Sequence, residues 1–207
     1  FFAKIKMADI FIIMDDVQFS KGSYTNRVKI LNCGKERWLT VPINKKGCSS
    51  DLISEIIISG GLDHLVNCIH ASYRKHPFFD MYFDRVKKIL LSDFVLIKDL
   101  NLELIYFVID ILNIDTHIEI MSNFDSQENG GRLVADLTKK VGGSTYLSGK
   151  GGEKYQTEED FNSFDISLKY FDFCHPVYTQ YSMSVFAEGL SILDLIFNIG
   201  PDSKNIL

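Results

Sequence analysis

The densest group of charged and hydrogen-bonding side chains comes directly after an apolar run at residues 9–14. Carboxylates can act as general bases, while amide, lysine and arginine side chains can bind phosphate or carboxylate oxygens. We predict that Asp16 and Asn26 take part in catalysis and that the rest of this first polar cluster binds substrate or phosphate. The cluster consists of Asp15, Asp16, Gln18, Lys21, Asn26 and Arg27. A turn cap by one aspartate and a structural ion pair of Arg27 are the alternatives.

A second polar cluster, residues 146–155, contains Ser-Gly-Lys-Gly-Gly between a predicted strand and a predicted helix. Free backbone amides, a lysine and a helix N-terminus together attract an anion. We therefore predict that Ser148, Gly149 and Lys150 bind phosphate or carboxylate. The spacing differs from the P-loop pattern G-x-x-x-x-G-K-[ST], so no P-loop is predicted. A flexible glycine turn with a solvated lysine is the alternative.

A third polar cluster, residues 174–182, follows another predicted strand and contains a histidine beside a proline. Because histidine titrates near neutral pH, we predict that His175 is a general acid or base. Tyr178 and Gln180 are predicted to bind substrate. Cysteine is among the most buried residue types, so Cys174 is predicted to be a core residue rather than a nucleophile.

The hydrophobic pattern predicts the elements that would position these clusters. Apolar runs at residues 9–14 and 117–121 indicate buried strands of a parallel sheet covered by helices. Helical patterns between the strands predict an α/β fold with a mostly parallel sheet and flanking helices. In such sheets ligands bind beyond the carboxyl ends of the strands, where all three polar clusters lie. Further strands are predicted at residues 54–59, 144–148 and 169–173.

Two additions to the sheet are also predicted, within one α/β domain formed by the whole chain. Residues 28–31 and 37–43 flank a turn-like Asn-Cys-Gly-Lys and predict a small β-hairpin. Residues 62–114 have helical patterns and predict an inserted helical lobe. At the entry to this lobe, Tyr73-Arg74-Lys75 and His76-Pro77 are predicted to be a helix N-cap with a solvated charge run, and a basic rim of the site is the alternative. The last predicted helix covers residues 186–197.

Composition limits the class of partner. The 207 residues carry a net charge of −5, which argues against bulk binding to nucleic acid. The most apolar stretch, residues 100–114, is shorter than the ~20 residues of a membrane-spanning helix. Cysteines without a CxxC pair predict free thiols in a reducing, cytoplasmic setting. They are Cys33, Cys48, Cys68 and Cys174. The spacing of His64, Cys68 and His70 does not suit tetrahedral zinc, and no metal site is predicted.

These segments resemble the WbqC-like family, which is found in bacterial surface-polysaccharide gene clusters. The first matching motifs are Ala-Asp-Ile-Phe-Ile-Ile-Met-Asp-Asp-Val-Gln-Phe at 8–19, Asn26-Arg27, and Trp-Leu-Thr-Val-Pro-Ile at 38–43. The later ones are Tyr-Leu-Ser-Gly at 146–149, His-Pro-Val-Tyr-Thr-Gln at 175–180 and Leu-Ser-Ile-Leu-Asp-Leu-Ile-Phe-Asn-Ile-Gly at 190–200. The resemblance covers essentially the whole chain.

This resemblance implies a fold similar to that of the nucleotidyltransferase-type Rossmann enzymes, the adenylating group that includes pantothenate synthetase. In that fold a nucleotide lies over the first turn, and the loop at residues 148–152 would bind its phosphates. The resemblance also implies an opening strand and a Gln-Pro-x-Tyr-x-Pro-Trp-x-Gly-like turn just before residue 1. We expect that this segment is missing from the chain.

The implied function is transfer of an acyl or aminoacyl group, such as glycyl, to a nucleotide-linked amino sugar in O-antigen or other surface-polysaccharide biosynthesis. In this hypothesis Asp16 or His175 removes a proton from the sugar amine. The other roles are anion binding by Lys21, Arg27 and Lys150, and orientation of the reacting carbonyl by Asn26 and Gln180.

Two other functions stay open at this point. One is an ATP-dependent adenylate-forming ligase or nucleotidyltransferase, whose cofactor would be a nucleotide with Mg²⁺. The other is a non-catalytic subunit that binds a nucleotide or sugar. Each of the three hypotheses has a small-molecule ligand and no nucleic-acid partner, and each is compatible with a homo-oligomer.

Overall fold

A computed structural model describes residues 1–44 and 51–207, so the predicted thiol of Cys48 lies outside the described residues. The chain forms two compact units, and each is built from two separate stretches of sequence. Unit 1 contains residues 1–15 and 115–174, and unit 2 contains residues 16–114 and 175–207.

Helices and strands alternate along much of the chain. The strands are β1 (Ile10–Ile13), β2 (Arg27–Asn32), β3 (Lys35–Thr40), β4 (His117–Ile120), β5 (Thr145–Gly149) and β6 (Ser167–Phe171). The α-helices are α1 (Phe2–Met7), α2 (Asp63–Tyr73), α3 (Phe79–Leu90), α4 (Ile97–Leu112), α5 (Gly130–Lys140), α6 (Glu158–Asn162), α7 (Ile192–Ile199) and α8 (Ser203–Ile206). Short 3₁₀ turns cover Ile53–Glu55, Met121–Asn123, Lys150–Lys154 and Gly200–Asp202.

Unit 1 is a mixed α/β structure with two pairs of parallel strands. Strand β1 pairs with β4, and β5 pairs with β6. Parallel neighbours need a crossover between them, and helix α6 lies in the segment that joins β5 to β6. Part of the core of this unit is formed by Ala135, Phe161 and Ile166. The predicted strands at 9–14, 117–121, 144–148 and 169–173 are therefore confirmed, with shifts of a few residues.

Unit 2 contains the predicted hairpin and the predicted helices. Strands β2 and β3 are antiparallel, and Asn32 is opposite Lys35 across the turn. The two turn residues, Cys33 and Gly34, have φ angles of 49° and 72°. Positive φ at both central positions is the requirement of a type I′ turn, whose twist matches that of the strands. The sequence Asn-Cys-Gly-Lys thus explains the tight reversal.

The helices α2 to α4 bury one face each. The periodic apolar residues of α3 put Tyr82, Val86 and Ile89 in the core, while the lysines between them stay exposed. Helix α4 ends at Asn113, which has the left-handed conformation that often terminates a helix. Within residues 1–44 and 51–207, no helix combines the length and the apolar character that crossing a membrane requires.

Two predicted elements are wrong. The predicted strand at 54–59 is a 3₁₀ turn followed by isolated bridges of Ile57 and Ile58, because no neighbouring strand runs beside it long enough to form a ladder. The predicted helix at 186–197 begins only at Ile192. Ser191 caps it by accepting a hydrogen bond from the amide of Leu193, and the positive φ of Gly189 keeps the preceding residues out of a helix.

Candidate functional site

A cavity of about 210 Å³ lies at the carboxyl ends of β5 and β6 in unit 1. Because the two strands are parallel, the segments that follow them emerge at the same edge. Its lining consists of Phe1, Lys4, Gly149, Lys150, Phe171, Asp172 and Phe173. Two lysines and three phenylalanine rings in one small cavity suit a ligand that has both negative charge and a flat or apolar part.

The charged groups of this cavity are one ion pair and one further lysine. Lys150 Nζ lies 2.7 Å from Asp172 Oδ2, and this hydrogen bond raises the pKa of Lys150. Both side chains are exposed, so the pair can be opened by an incoming anion at little cost. Lys4 Nζ lies so close to Gly149 that a Cβ at this glycine would be 3.7 Å from it.

The loop that carries Lys150 is shaped by a buried serine. Ser148 is 3% exposed, and its Oγ donates a 2.6 Å hydrogen bond to Gln156 Oε1. A Cβ at Gly152 would approach these two oxygens to 2.3 and 2.5 Å, so the loop closes this tightly only because Gly152 has no side chain. The helix predicted after the Ser-Gly-Lys-Gly-Gly run begins only at Glu158, because Lys150–Lys154 is a 3₁₀ turn. Anion attraction here therefore depends on lysines rather than on a helix N-terminus.

The first polar cluster divides between an interior aspartate and exposed neighbours. Asp15 is 1% exposed and accepts hydrogen bonds from the amide of Ser122 at 2.9 Å and from its Oγ at 2.8 Å. These bonds join the segments that follow β1 and β4 within unit 1. Asp16, Gln18 and Lys21 belong to unit 2 and are exposed.

Asn26 and Arg27, also in unit 2, interact with the hairpin region. Asn26 Nδ2 donates to the carbonyl of Val41 at 3.1 Å, while the amide of Val41 donates to the carbonyl of Asn26. The guanidinium of Arg27 lies 4.0 Å from the ring centroid of Trp38 and donates to the carbonyl of Gly22. The hydrogen bond to Val41 fixes the side chain of Asn26, and the cation–π contact together with the hydrogen bond to Gly22 fixes the side chain of Arg27.

The motif at 175–180 leads into a buried hydrogen-bond cluster in unit 2. Tyr178 Oη and Gln180 Nε2 both donate to Asp194 Oδ2, at 2.8 and 3.0 Å. Gln180 also exchanges two hydrogen bonds with the backbone of Ala187. The amide of Tyr181 donates to Oδ1 of Asn198 at 2.7 Å. The segment 178–187 is thereby fastened to helix α7.

His76 completes this Asp194 cluster. It is 9% exposed and lies between two rings, with centroids 4.8 Å from Tyr73 and 5.0 Å from Tyr181. Among the described residues, the two ring nitrogens of His76 and the Oδ1 atom of Asp194 have no hydrogen-bond partner. Burial lowers the pKa of His76 and raises the pKa of Asp194. Arg74 and Lys75 are exposed, as the predicted solvated charge run requires, whereas Tyr73 and His76 pack into this core.

His175 and the cysteines are at the surface. His175 is exposed, and so is Cys174, which was predicted to be in the core. The polypeptide after β6 is extended without sheet partners at this point, so Cys174 gains no covering layer. Cys33 and Cys68 are likewise exposed free thiols. In the described parts of the chain, no three His, Cys, Asp or Glu side chains approach one another as metal ligands do.

The structure brings together some of the predicted site residues. Gly149 and Lys150 share the cavity with Ser148 beside them, and Tyr178 and Gln180 share one carboxylate. Sequence reasoning missed Lys4, Asp172, His76 and Asp194. The Asp in Leu-Ser-Ile-Leu-Asp-Leu-Ile-Phe was a usable signal, because a charged residue on an otherwise apolar helix needs buried partners.

The fold defines the class: a mixed α/β protein, with a small cavity at the ends of two parallel strands of unit 1. The chain belongs to the WbqC-like protein family, whose model matches residues 1–206. It is similar to an uncharacterized protein of Mycobacterium tuberculosis (strain ATCC 25618 / H37Rv), Rv1507c, with 27% identity over 213 residues, which cover 100% of this chain and 91% of the relative. No solved structure matches the chain.

Proposed function

We propose that the protein binds a nucleotide-linked amino sugar in the cavity of unit 1 and transfers an acyl or aminoacyl group to the sugar amine, in the biosynthesis of a surface polysaccharide. The observation that carries this proposal is the convergence of Lys4, Lys150 and three phenylalanine rings at the ends of parallel strands. The parallel pairs β1–β4 and β5–β6 support a nucleotidyltransferase-like Rossmann fold for unit 1.

The size and charge of the cavity favour a diphosphate. A volume of about 210 Å³ is below the ~300–1,000 Å³ of sites that enclose a whole drug-sized ligand. It suits the diphosphate and one adjoining ring, with the remainder of the ligand outside. Lys4 and Lys150 are the cations for the phosphate oxygens, and any Mg²⁺ would arrive with the nucleotide. The rings of Phe171 and Phe173 offer faces on which a base or sugar packs.

The chemistry needs a base for the attacking amine. The amine nitrogen forms a bond to the acyl carbon, the bond from that carbon to the donor breaks, and the leaving group departs with the electron pair. Asp172, a carboxylate of the cavity lining, is the base we propose for the released proton, once phosphate has replaced it beside Lys150. The roles of Asp16 and His175, which are exposed on unit 2, as general bases stay predictions.

Binding is tested by titration calorimetry with UDP-N-acetylglucosamine, UDP and inorganic pyrophosphate. Because Lys150 would form a charge-assisted hydrogen bond with the phosphate at an exposed position, Lys150→Ala should weaken binding of UDP-N-acetylglucosamine about tenfold. Lys154→Ala, in the same 3₁₀ turn but outside the lining, is the matched control and should bind like the native chain. Equal affinity of the two variants would contradict the assigned site.

Turnover is tested separately by mass spectrometry with UDP-glucosamine and acyl or glycyl thioesters as donors. The proposal expects an acylated sugar whose formation is slowed by Asp172→Asn. Product that appears only with free amino acid, ATP and Mg²⁺, with release of pyrophosphate, would replace the transferase by the adenylate-forming ligase. Tight binding without any product would favour the non-catalytic binding subunit.

A further inference from the structure

The Asp194 cluster contains a buried acid and a buried base whose remaining polar atoms are unmatched. Asp194 is 0% exposed, and Tyr178 and Gln180 both donate to its Oδ2 atom. Oδ1 of Asp194 and both ring nitrogens of His76 have no partner among the described residues. A buried polar atom in this condition costs free energy, and the cost is larger when the group is charged.

The burial of both groups distinguishes between the two ways of placing one proton. With the proton on His76, the core would hold an imidazolium and a carboxylate with no hydrogen bond between them among the described residues. With the proton on Asp194, His76 is neutral, and the carboxylic acid still accepts at Oδ2 from Tyr178 and Gln180. Each arrangement has two N–H or O–H donors on the pair, but only the second puts no charge in the core.

We propose that folding moves a proton from His76 to Asp194, so that a neutral acid–imidazole pair forms the centre of a latch that fastens segment 178–187 to helix α7. The latch consists of Tyr178, Gln180 and Ala187 on the segment and Asp194 and Asn198 on the helix. It lies within unit 2 and does not depend on the proposed transferase activity.

The remaining titratable groups around the pair do not compete for this proton. The groups that face it are Tyr73 from α2, and Tyr178 and Tyr181 from the latched segment. Burial and the nearby Asp194 raise the pKa of Tyr73 and of Tyr178, so both stay neutral in acid. Burial also shifts the pKa of Asp194 upward and that of His76 downward, in agreement with the geometry.

The sign of the pH dependence follows from proton counting. In the unfolded chain, between the ordinary pKa values of 3.8 and 6.5, Asp194 is ionised and His76 holds one proton. The folded pair also holds one proton, on Asp194, so the pair adds no pH dependence to stability in this window. Removing one member of the pair leaves the pH dependence of the other uncompensated. With Asp194 alone, the free energy of unfolding falls as pH rises, and with His76 alone it rises with pH.

The first test places the proton directly. In native protein labelled with ¹⁵N and ¹³C, the imidazole nitrogens of His76 should have the shifts of a neutral ring at about pH 5, and the Asp194 carboxyl carbon those of a protonated acid. The exposed His64 supplies reference ring signals in the same sample. An imidazolium spectrum for His76 together with an ionised Asp194 would overturn the proposal.

The second test measures the unfolding equilibrium constant of four chains, namely native, His76→Gln, Asp194→Asn and the double variant, from about pH 4.5 to 6. Relative to the double variant, the unfolding equilibrium constant of His76→Gln should increase by up to about tenfold per pH unit. That of Asp194→Asn should decrease by a similar factor, and that of the native chain should not change with pH. Slopes of the same sign in the two single variants would refute the pair. If Asp194→Asn does not fold, His76→Gln and the spectra still decide.

Discussion

Replacing Asp15 with alanine should destabilise unit 1, whereas the same change at the adjacent Asp16 should not. The Asp15 carboxylate accepts two hydrogen bonds from Ser122, at 2.9 and 2.8 Å, inside a site where it is 1% exposed. Hydrogen bonds to charged groups contribute about 1.5–3 kcal/mol each. Since Ser122 is exposed and its freed groups recover water, the lower end applies to both bonds. We expect a loss of about 3 kcal/mol for Asp15→Ala.

The assay is guanidinium chloride unfolding followed by far-UV circular dichroism, combined with hydrogen exchange of the β1 and β4 amides. A loss of this size lowers the midpoint by roughly 0.5–1 M, and exchange should accelerate in both strands. Asp16→Ala, whose side chain is exposed, should stay within about 0.5 kcal/mol of the native chain. The fluorescence of Trp38, the single tryptophan, follows unit 2 as an internal reference. Equal midpoints for the two variants would refute this account of the strand ends.

The remaining predictions concern a glycine in unit 2 and an aspartate in unit 1. Gly200 has φ 66° and ψ −136°, and a Cβ there would lie 2.4 Å from the ring of Phe78. Gly200→Ala should therefore lower the free energy of unfolding by about 3–5 kcal/mol, because of backbone strain and overlap with the ring. Gly189 also has a positive φ but open space around it, so Gly189→Ala should lower this free energy by only about 1–2 kcal/mol. Unfolding followed by Trp38 fluorescence measures both losses. Burial opposes ionisation of Asp136, but hydrogen bonds from Lys140 and Ser126 outweigh it and lower its pKa. Its contribution is present above the ordinary pKa of 3.8 and is lost as pH falls through the folded value, so Asp136→Asn should flatten the acid limb of a stability–pH curve.

The elements that could be predicted from the sequence are those fixed by nearby residues. The hairpin follows from its turn, in which Cys33 and Gly34 both take positive φ. Helix α3 follows from its apolar spacing, and strands β1 and β4 follow from their unbroken apolar runs. Residues 54–59 have an apolar run of the same kind but no partner strand. Periodicity does not tell whether a partner exists, because the partner lies elsewhere in the chain.

The candidate site was predictable in type but not in detail. That Lys150 lies at a ligand-binding edge follows from the rule for parallel strands. Its neighbours Lys4 and Asp172 come from other parts of the sequence, and nothing local marks them. Likewise, the sequence does not distinguish Asp15 from Asp16, because the contact of Asp15 with the distant Ser122 is not visible in it. Nor does it show that His76 is buried near Asp194. The local sequence pattern gives no information about contacts between residues that are distant in the chain.

The interleaving of the two units has a consequence for synthesis on the ribosome. Neither unit is a continuous stretch of chain, since residues 16–114 are made between the two parts of unit 1, and residues 115–174 between the two parts of unit 2. Asp15 is made 107 residues before the Ser122 that binds it. Strand β1 must therefore wait as an unpaired, aggregation-prone edge while the helices α2 to α4 emerge. The hairpin and these helices are available early, whereas Asp194 closes its cluster only after the second part of unit 1 has been made.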